Sequence, residues 1–89
     1  MLDKIRKSLR ITHNALDDEI QDLIDGAILD LQLSGVKKTD SDDPLIIRAV
    51  TTYCKANFGF DNPDSEKLNQ AYTSLKIHLS LAGDYNVVS

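Results

Sequence analysis

The chain has 89 residues, 42% hydrophobic and 27% charged, with a net charge of −4 and a pI near 4.9. A chain of this size makes one domain with a thin core, burying about 60–65% of the surface it exposes unfolded, and this composition excludes a largely disordered polypeptide. The acidic balance excludes a protein that grips nucleic acid through a basic face, and a single cysteine excludes an intrachain disulfide.

The first element read along the chain is a short amphipathic helix over residues 2–10, in which Leu2, Ile5 and Leu9 share a face. Lys4, Arg6, Lys7 and Arg10 surround it as a solvated basic face, with cations near the helix C-terminus. Thr12-His13-Asn14 breaks the pattern, and Asn14 is the expected N-cap of a long second helix. Its first turns carry Asp17, Asp18 and Glu19, where the helix dipole favours anions. Leu16, Ile20, Leu23, Ile24, Ala27, Ile28 and Leu31 then form one core stripe. At 100° per residue, Leu29 and Leu33, with Gly26 beside them, fall opposite that stripe. Single surface leucines are common, but two on one back face suggest a partner contact. Gly35 closes the helix, and residues 36–42 read as a loop.

The third helix is the most strongly specified. Asp43 is its N-cap, Pro44 stands where a missing N–H costs nothing, and Gly59 suits the left-handed position after its end. Arg48, Thr51, Thr52 and Lys55 make one narrow polar stripe, and nearly everything else between Leu45 and Phe58 is apolar. A helix with so little wet surface must be wrapped by others, so 44–58 is read as a central buried helix. After the turn Phe60-Asp61-Asn62-Pro63, Asn62 or Asp64 starts a fourth helix. Its core stripe is Leu68, Ala71, Tyr72, Leu75, Leu79 and Ala82, and Gly83 ends it. Ile77 and Leu81 form a second apolar pair away from that stripe. Residues 84–89 read as a flexible C-terminal tail, with Tyr85, Val87 and Val88 unusually sticky for a tail that binds nothing. The fold expected is all-α: a small antiparallel bundle of about four helices in one domain, residues 1–83, followed by that tail.

The inventory for chemistry is poor. His13, His78 and Cys54 show no metal-ligand spacing. Asp40-Ser41-Asp42-Asp43 lacks the glycine at position 6 and the glutamate at position 12 of a calcium loop, since Pro44 and Leu45 begin a helix instead, and the four glycines stand singly, so there is no phosphate cradle. Asp17, Asp18, Glu19, Asp22 and Asp25 crowd a wet helix face rather than a cleft that would shift a carboxylate pKa. Cys54 reads as a small buried hydrophobe. An acyl carrier protein would need Asp-Ser-Leu at a helix start, whereas Ser41 is followed by Asp42, Asp43 and Pro44. Neither an enzyme nor a cofactor is expected. No apolar run approaches the roughly 18 residues of a membrane span, and Met1-Leu2-Asp3-Lys4 opens no signal-peptide region. The expectation is a cytosolic chain without a membrane partner.

Three segments carry a family likeness: Leu9-Arg10-Ile11-Thr12; Leu16-Asp17-Asp18-Glu19-Ile20 with Leu23-Ile24-Asp25-Gly26-Ala27; and Asp43-Pro44-Leu45-Ile46 with Ala49-Val50 and Tyr53 to Gly59. In order, spacing and total length the chain resembles the small head–tail connector proteins of long-tailed phages, also labelled phage DNA-packaging proteins. The resemblance implies an all-helical, non-catalytic subunit that forms a closed ring of about a dozen copies beneath the portal. Its partners would be further copies of itself, the portal protein and the next head–tail joining protein. DNA would pass through the lumen without sequence-specific binding. The protein would reside at the head–tail junction of the virion, and in host cytoplasm during assembly. On that reading the acidic residues Asp17, Asp18, Glu19, Asp22 and Asp25 are candidates for lining the lumen, where they would repel phosphates. Leu29 and Leu33 with Ile77 and Leu81 are candidate subunit interfaces, and Tyr85, Val87 and Val88 candidates for docking through the tail. The alternative from another class is a small non-enzymatic adaptor that binds one protein partner through the same apolar pairs.

Overall fold

The computed structural model describes residues 1–58 and 63–86. Five helices follow one another: α1 (Leu2–Ser8), α2 (Asp17–Leu33), α3 (Pro44–Asn57), α4 (Ser65–Leu81) and the single turn α5 (Gly83–Asn86). The described residues thus form a small all-α bundle. α3 packs against α2, α4 and α1, which makes it the centre of the bundle as its apolar excess predicts. α2 and α4, each about 25 Å long at 17 residues, lie along it. The Cα radius of gyration is 12.9 Å, close to the roughly 12 Å of a compact chain this long.

One core runs through all four longer helices. It joins Ile5 of α1, Ile20, Ile24, Ala27 and Leu31 of α2, Ile46, Ala49, Val50 and Cys54 of α3, and Tyr72 and Leu79 of α4. Val36, from the loop after α2, is also fully buried. The polar stripe of α3 behaves as its spacing requires: Arg48 and Lys55 are exposed, Thr51 and Thr52 half-buried.

The helix ends show how the chain stops and starts. At α3 the Asp43 carboxylate accepts from the backbone N–H of Leu45 at 2.9 Å and of Ile46 at 3.4 Å, with Pro44 in the first turn. At the end of α2 the Val36 N–H reaches the Leu31 carbonyl and the Gly35 N–H that of Gln32. This six-to-one, five-to-two closure needs a left-handed residue, and Gly35 supplies it at φ +102°. α1 ends in the same closure, Ile11 to Arg6 and Arg10 to Lys7, but there the left-handed residue is Arg10 at φ +61°.

Several local expectations are corrected. α2 starts at Asp17, three residues after Asn14; the Asn14 carbonyl accepts from the Asp17 N–H in a preceding turn. Ala71 is exposed, leaving Leu68, Tyr72, Leu75 and Leu79 as the inward stripe of α4, while Asp64 stands at its N-cap position. Gly83 opens α5 as well as following α4. Gly59 and Asn62, to which end and start signals were assigned, lie outside the described residues.

Candidate functional site

No helix among the described residues is long and apolar enough to cross a membrane, and none of their side chains form a group of three His, Cys, Asp or Glu able to hold a metal ion. An open depression of about 700 Å³ at the start of α4 is lined by Pro63, Ser65, Glu66, Asn69, Gln70 and Thr73. Glu66 is the only charge among its described lining residues, which assemble no acid–base pair. Cys54 is fully buried, and burial pushes its thiol up to about 12, far from a reactive thiolate at neutral pH.

What the molecule does present is apolar surface. Among the described residues the exposed large hydrophobics are Leu29 at 56%, Leu33 at 78%, Ile77 at 52%, Leu81 at 77% and, in addition, Leu45 at 44%. The first four are the two back-face pairs that helical phase isolates on α2 and α4. Leu45 was expected among the wrapped residues of α3. It is the second residue of α3 and continues the Arg48–Lys55 stripe in phase.

The acidic residues of α2 divide. Asp17 is only half-exposed and receives two hydrogen bonds from Arg6 Nη1, at 2.9 and 2.8 Å. Arg6 Nη2 in turn reaches Asp3 at 2.9 Å. Asp17 therefore ties α1 to α2 and is set apart from the other four. Asp18, Glu19, Asp22 and Asp25 are exposed. Asp18, Asp22 and Asp25 have no cationic partner among the described residues, and Asp25 accepts only from Gln21 at 2.9 Å. At 100° per residue these three share one outward face with Leu29 and Leu33, the acids on its N-terminal half and the leucines on its C-terminal half.

The side of α2 next to that face carries a polar hub that periodicity does not reveal. Asp30 accepts the Tyr72 hydroxyl at 2.6 Å and Lys76 Nζ at 3.1 Å. Lys76 also lies 5.3 Å from the Tyr72 ring centroid, and Tyr53 meets that ring edge-on at 5.1 Å. The Tyr72 hydrogen bond, backed by Lys76, holds the Asp30 carboxyl below the ordinary carboxylate range against partial desolvation; burial and the same carboxylate raise Tyr72. Gly26, one turn before Asp30, was expected on the back face. A Cβ there would stand 3.4 Å from the Tyr53 hydroxyl, so the glycine lies at the α2–α3 seam. The hub locks α4 to α2 and fixes where Ile77, next to Lys76, is presented.

The C-terminal turn is fastened rather than loose through Asn86. The Tyr85 carbonyl accepts from the N–H groups of Lys37 (2.6 Å) and Lys38 (3.1 Å). Its hydroxyl donates to Asp43 at 2.9 and 3.1 Å, so the cap of α3 and the C-terminal turn share one carboxylate. That bond raises the Tyr85 pKa. Asn86 donates to the Ser80 carbonyl at 3.0 Å. Tyr85 is thus turned toward the core; Val87 and Val88 lie outside the described residues.

Among known protein families, one described as phage connector protein matches the chain over residues 1–86. No curated protein and no solved structure matches it.

Proposed function

The chain belongs to the phage connector protein family, and from that premise we propose that it is the head–tail connector subunit of a long-tailed phage or prophage. In this reading about a dozen copies form a closed ring beneath the portal, with the next head–tail joining protein below, and DNA passes through the lumen in packaging and ejection. The family supports a structural role in the virion and contacts with other head and tail proteins. The observation that carries the finer reading is the pair of solvent-exposed apolar patches, Leu29 with Leu33 on α2 and Ile77 with Leu81 on α4. In a ring seated on a portal each subunit meets neighbouring copies and partner proteins through different surfaces, and a monomer gains nothing from either patch. Exposed Glu19, off the Leu29–Leu33 face, and the net charge of −4 give such a ring a surface from which phosphates slide. Asp17, consumed by Arg6, contributes little to it.

Mass measured in solution against the cognate portal tests the proposal. A complex with many connector copies per portal ring is expected, even where the free protein is monomeric, because a template supplies the missing association free energy. A one-to-one complex with a single unrelated protein, and none with the portal, would establish the adaptor reading instead.

A further inference from the structure

We propose that the contact between neighbouring copies sets the outward face of α2 on one copy against the polar stripe of α3 on the next, the two helices running antiparallel. The inference rests on the ring reading above and names the surfaces that make it. Both faces are built from an apolar end and a charged end. On α2, Asp18, Asp22 and Asp25 precede Leu29 and Leu33, all five exposed. On α3 the order is reversed, with exposed Leu45 first and exposed Arg48 and Lys55 after it. Like order and opposite order have different consequences.

At about 1.5 Å per residue, placing Leu45 opposite Leu29 in the antiparallel sense sets Arg48 about 4.5 Å along the axis, near Asp25 at about 6 Å. Leucine meets leucine, and Arg48 meets an acid that no cation of its own subunit neutralises among the described residues. A parallel arrangement with the same leucine pair sets Arg48 beside Leu33, about 6 Å along α2, and one that pairs Arg48 with Asp25 sets Leu45 against Asp22.

The same fold presents both faces at once. α2 and α3 pack on each other through their buried sides, so their exposed sides turn away from one another. A head-to-tail ring needs two surfaces arranged in that way. The patch at Ile77 and Leu81 shares its face with Glu66, Gln70 and Thr73, one acid without a run of like charge, and lies outside this contact.

Charge reversal tests the pairing. Wild type, Arg48→Glu, Asp25→Arg and the double variant would be compared for ring formation by sedimentation and negative-stain imaging, alone and with the portal, with circular dichroism confirming the fold of each. Each single reversal is expected to raise the concentration for half-assembly about tenfold, and the double variant to return it to within about threefold of wild type. Leu45→Asp, which touches no charge pair, is expected to abolish rings while leaving the helical signal unchanged. Wild-type rings that persist unchanged in Arg48→Glu and Leu45→Asp would overturn the pairing and leave the connector reading standing. Rings that persist in both variants with portal docking lost would assign the α3 stripe to the portal and overturn it as well. Wild type that never oligomerises, with or without portal, would overturn the connector reading and the pairing together.

Discussion

Removing the Tyr72 hydroxyl tests whether the Asp30 hub holds α4 on the bundle. The phenol is 4% exposed and donates at 2.6 Å to a carboxylate whose side chain is 39% exposed. A hydrogen bond to a charged group contributes about 1.5–3 kcal/mol. Water can reach the vacated side of Asp30, which brings the expected loss in Tyr72→Phe to about 1 kcal/mol. For a chain this long that is a fall in Tm of about 4–8 °C. Asp30→Ala removes the same bond and the Lys76 pair, and strands the Tyr72 hydroxyl, together about 2–3 kcal/mol. The better helix propensity of alanine returns about 0.5 kcal/mol, for a net loss near 2 kcal/mol. The double variant should therefore lose clearly less than the sum of the singles, with about 1 kcal/mol of coupling. Urea unfolding followed by circular dichroism measures all three. The hub also has a pH signature. Because the folded state lowers the Asp30 pKa, its contribution is complete above the unfolded value of about 4 and is lost as pH falls through the folded value. The gap between wild type and Asp30→Ala should close on acidification. Additive losses, or a Tyr72→Phe curve that overlays wild type, would refute this account of how α4 is held.

Other outcomes follow from the same geometry. Gly35→Ala should destabilise by about 1–2 kcal/mol, since φ +102° places a Cβ against the following carbonyl, whereas Arg10→Gly should stabilise by about 0.5–1 kcal/mol by relieving the same conformation at the end of α1; thermal melts of the two variants should move in opposite directions. Cys54 should resist alkylation in the native protein and react once urea unfolds it, because the thiol is buried and its pKa raised. Leu29→Asp and Ile77→Asp should leave the melting curve within about 0.5 kcal/mol of wild type, both side chains being more than half exposed; loss of the helical signal in either would put that face in the core.

The elements whose signals are local were legible from sequence. α3 announces itself through the Asp43-Pro44 start and a four-residue polar stripe, and both exposed apolar pairs follow from helical phase alone. Where a residue's role depends on a distant part of the chain, periodicity was silent. Asp30 looks like one more acid on α2, yet its partners lie 42 and 46 residues away. Tyr85 looks like tail, yet it is 42 residues from the carboxylate that binds it. Asn14 looks like a cap, but α2 begins at Asp17 with Leu16 at its N-cap position, two residues later, and Asp17 is held by Arg6 of α1. Leu45 lies in phase with the exposed stripe of α3 and was counted among the wrapped residues only because it is apolar, whereas Ala71 shares the phase of the α4 core stripe and is exposed. The acidic face was visible as a cluster, while its division into one structural aspartate and four exposed acids required the position of α1.

The most direct test of the central claim is electron microscopy of the protein with its cognate portal. The account predicts closed rings of about a dozen subunits stacked coaxially on the portal, with an open lumen. Monomers that persist beside intact portal rings at high protein concentration would contradict it.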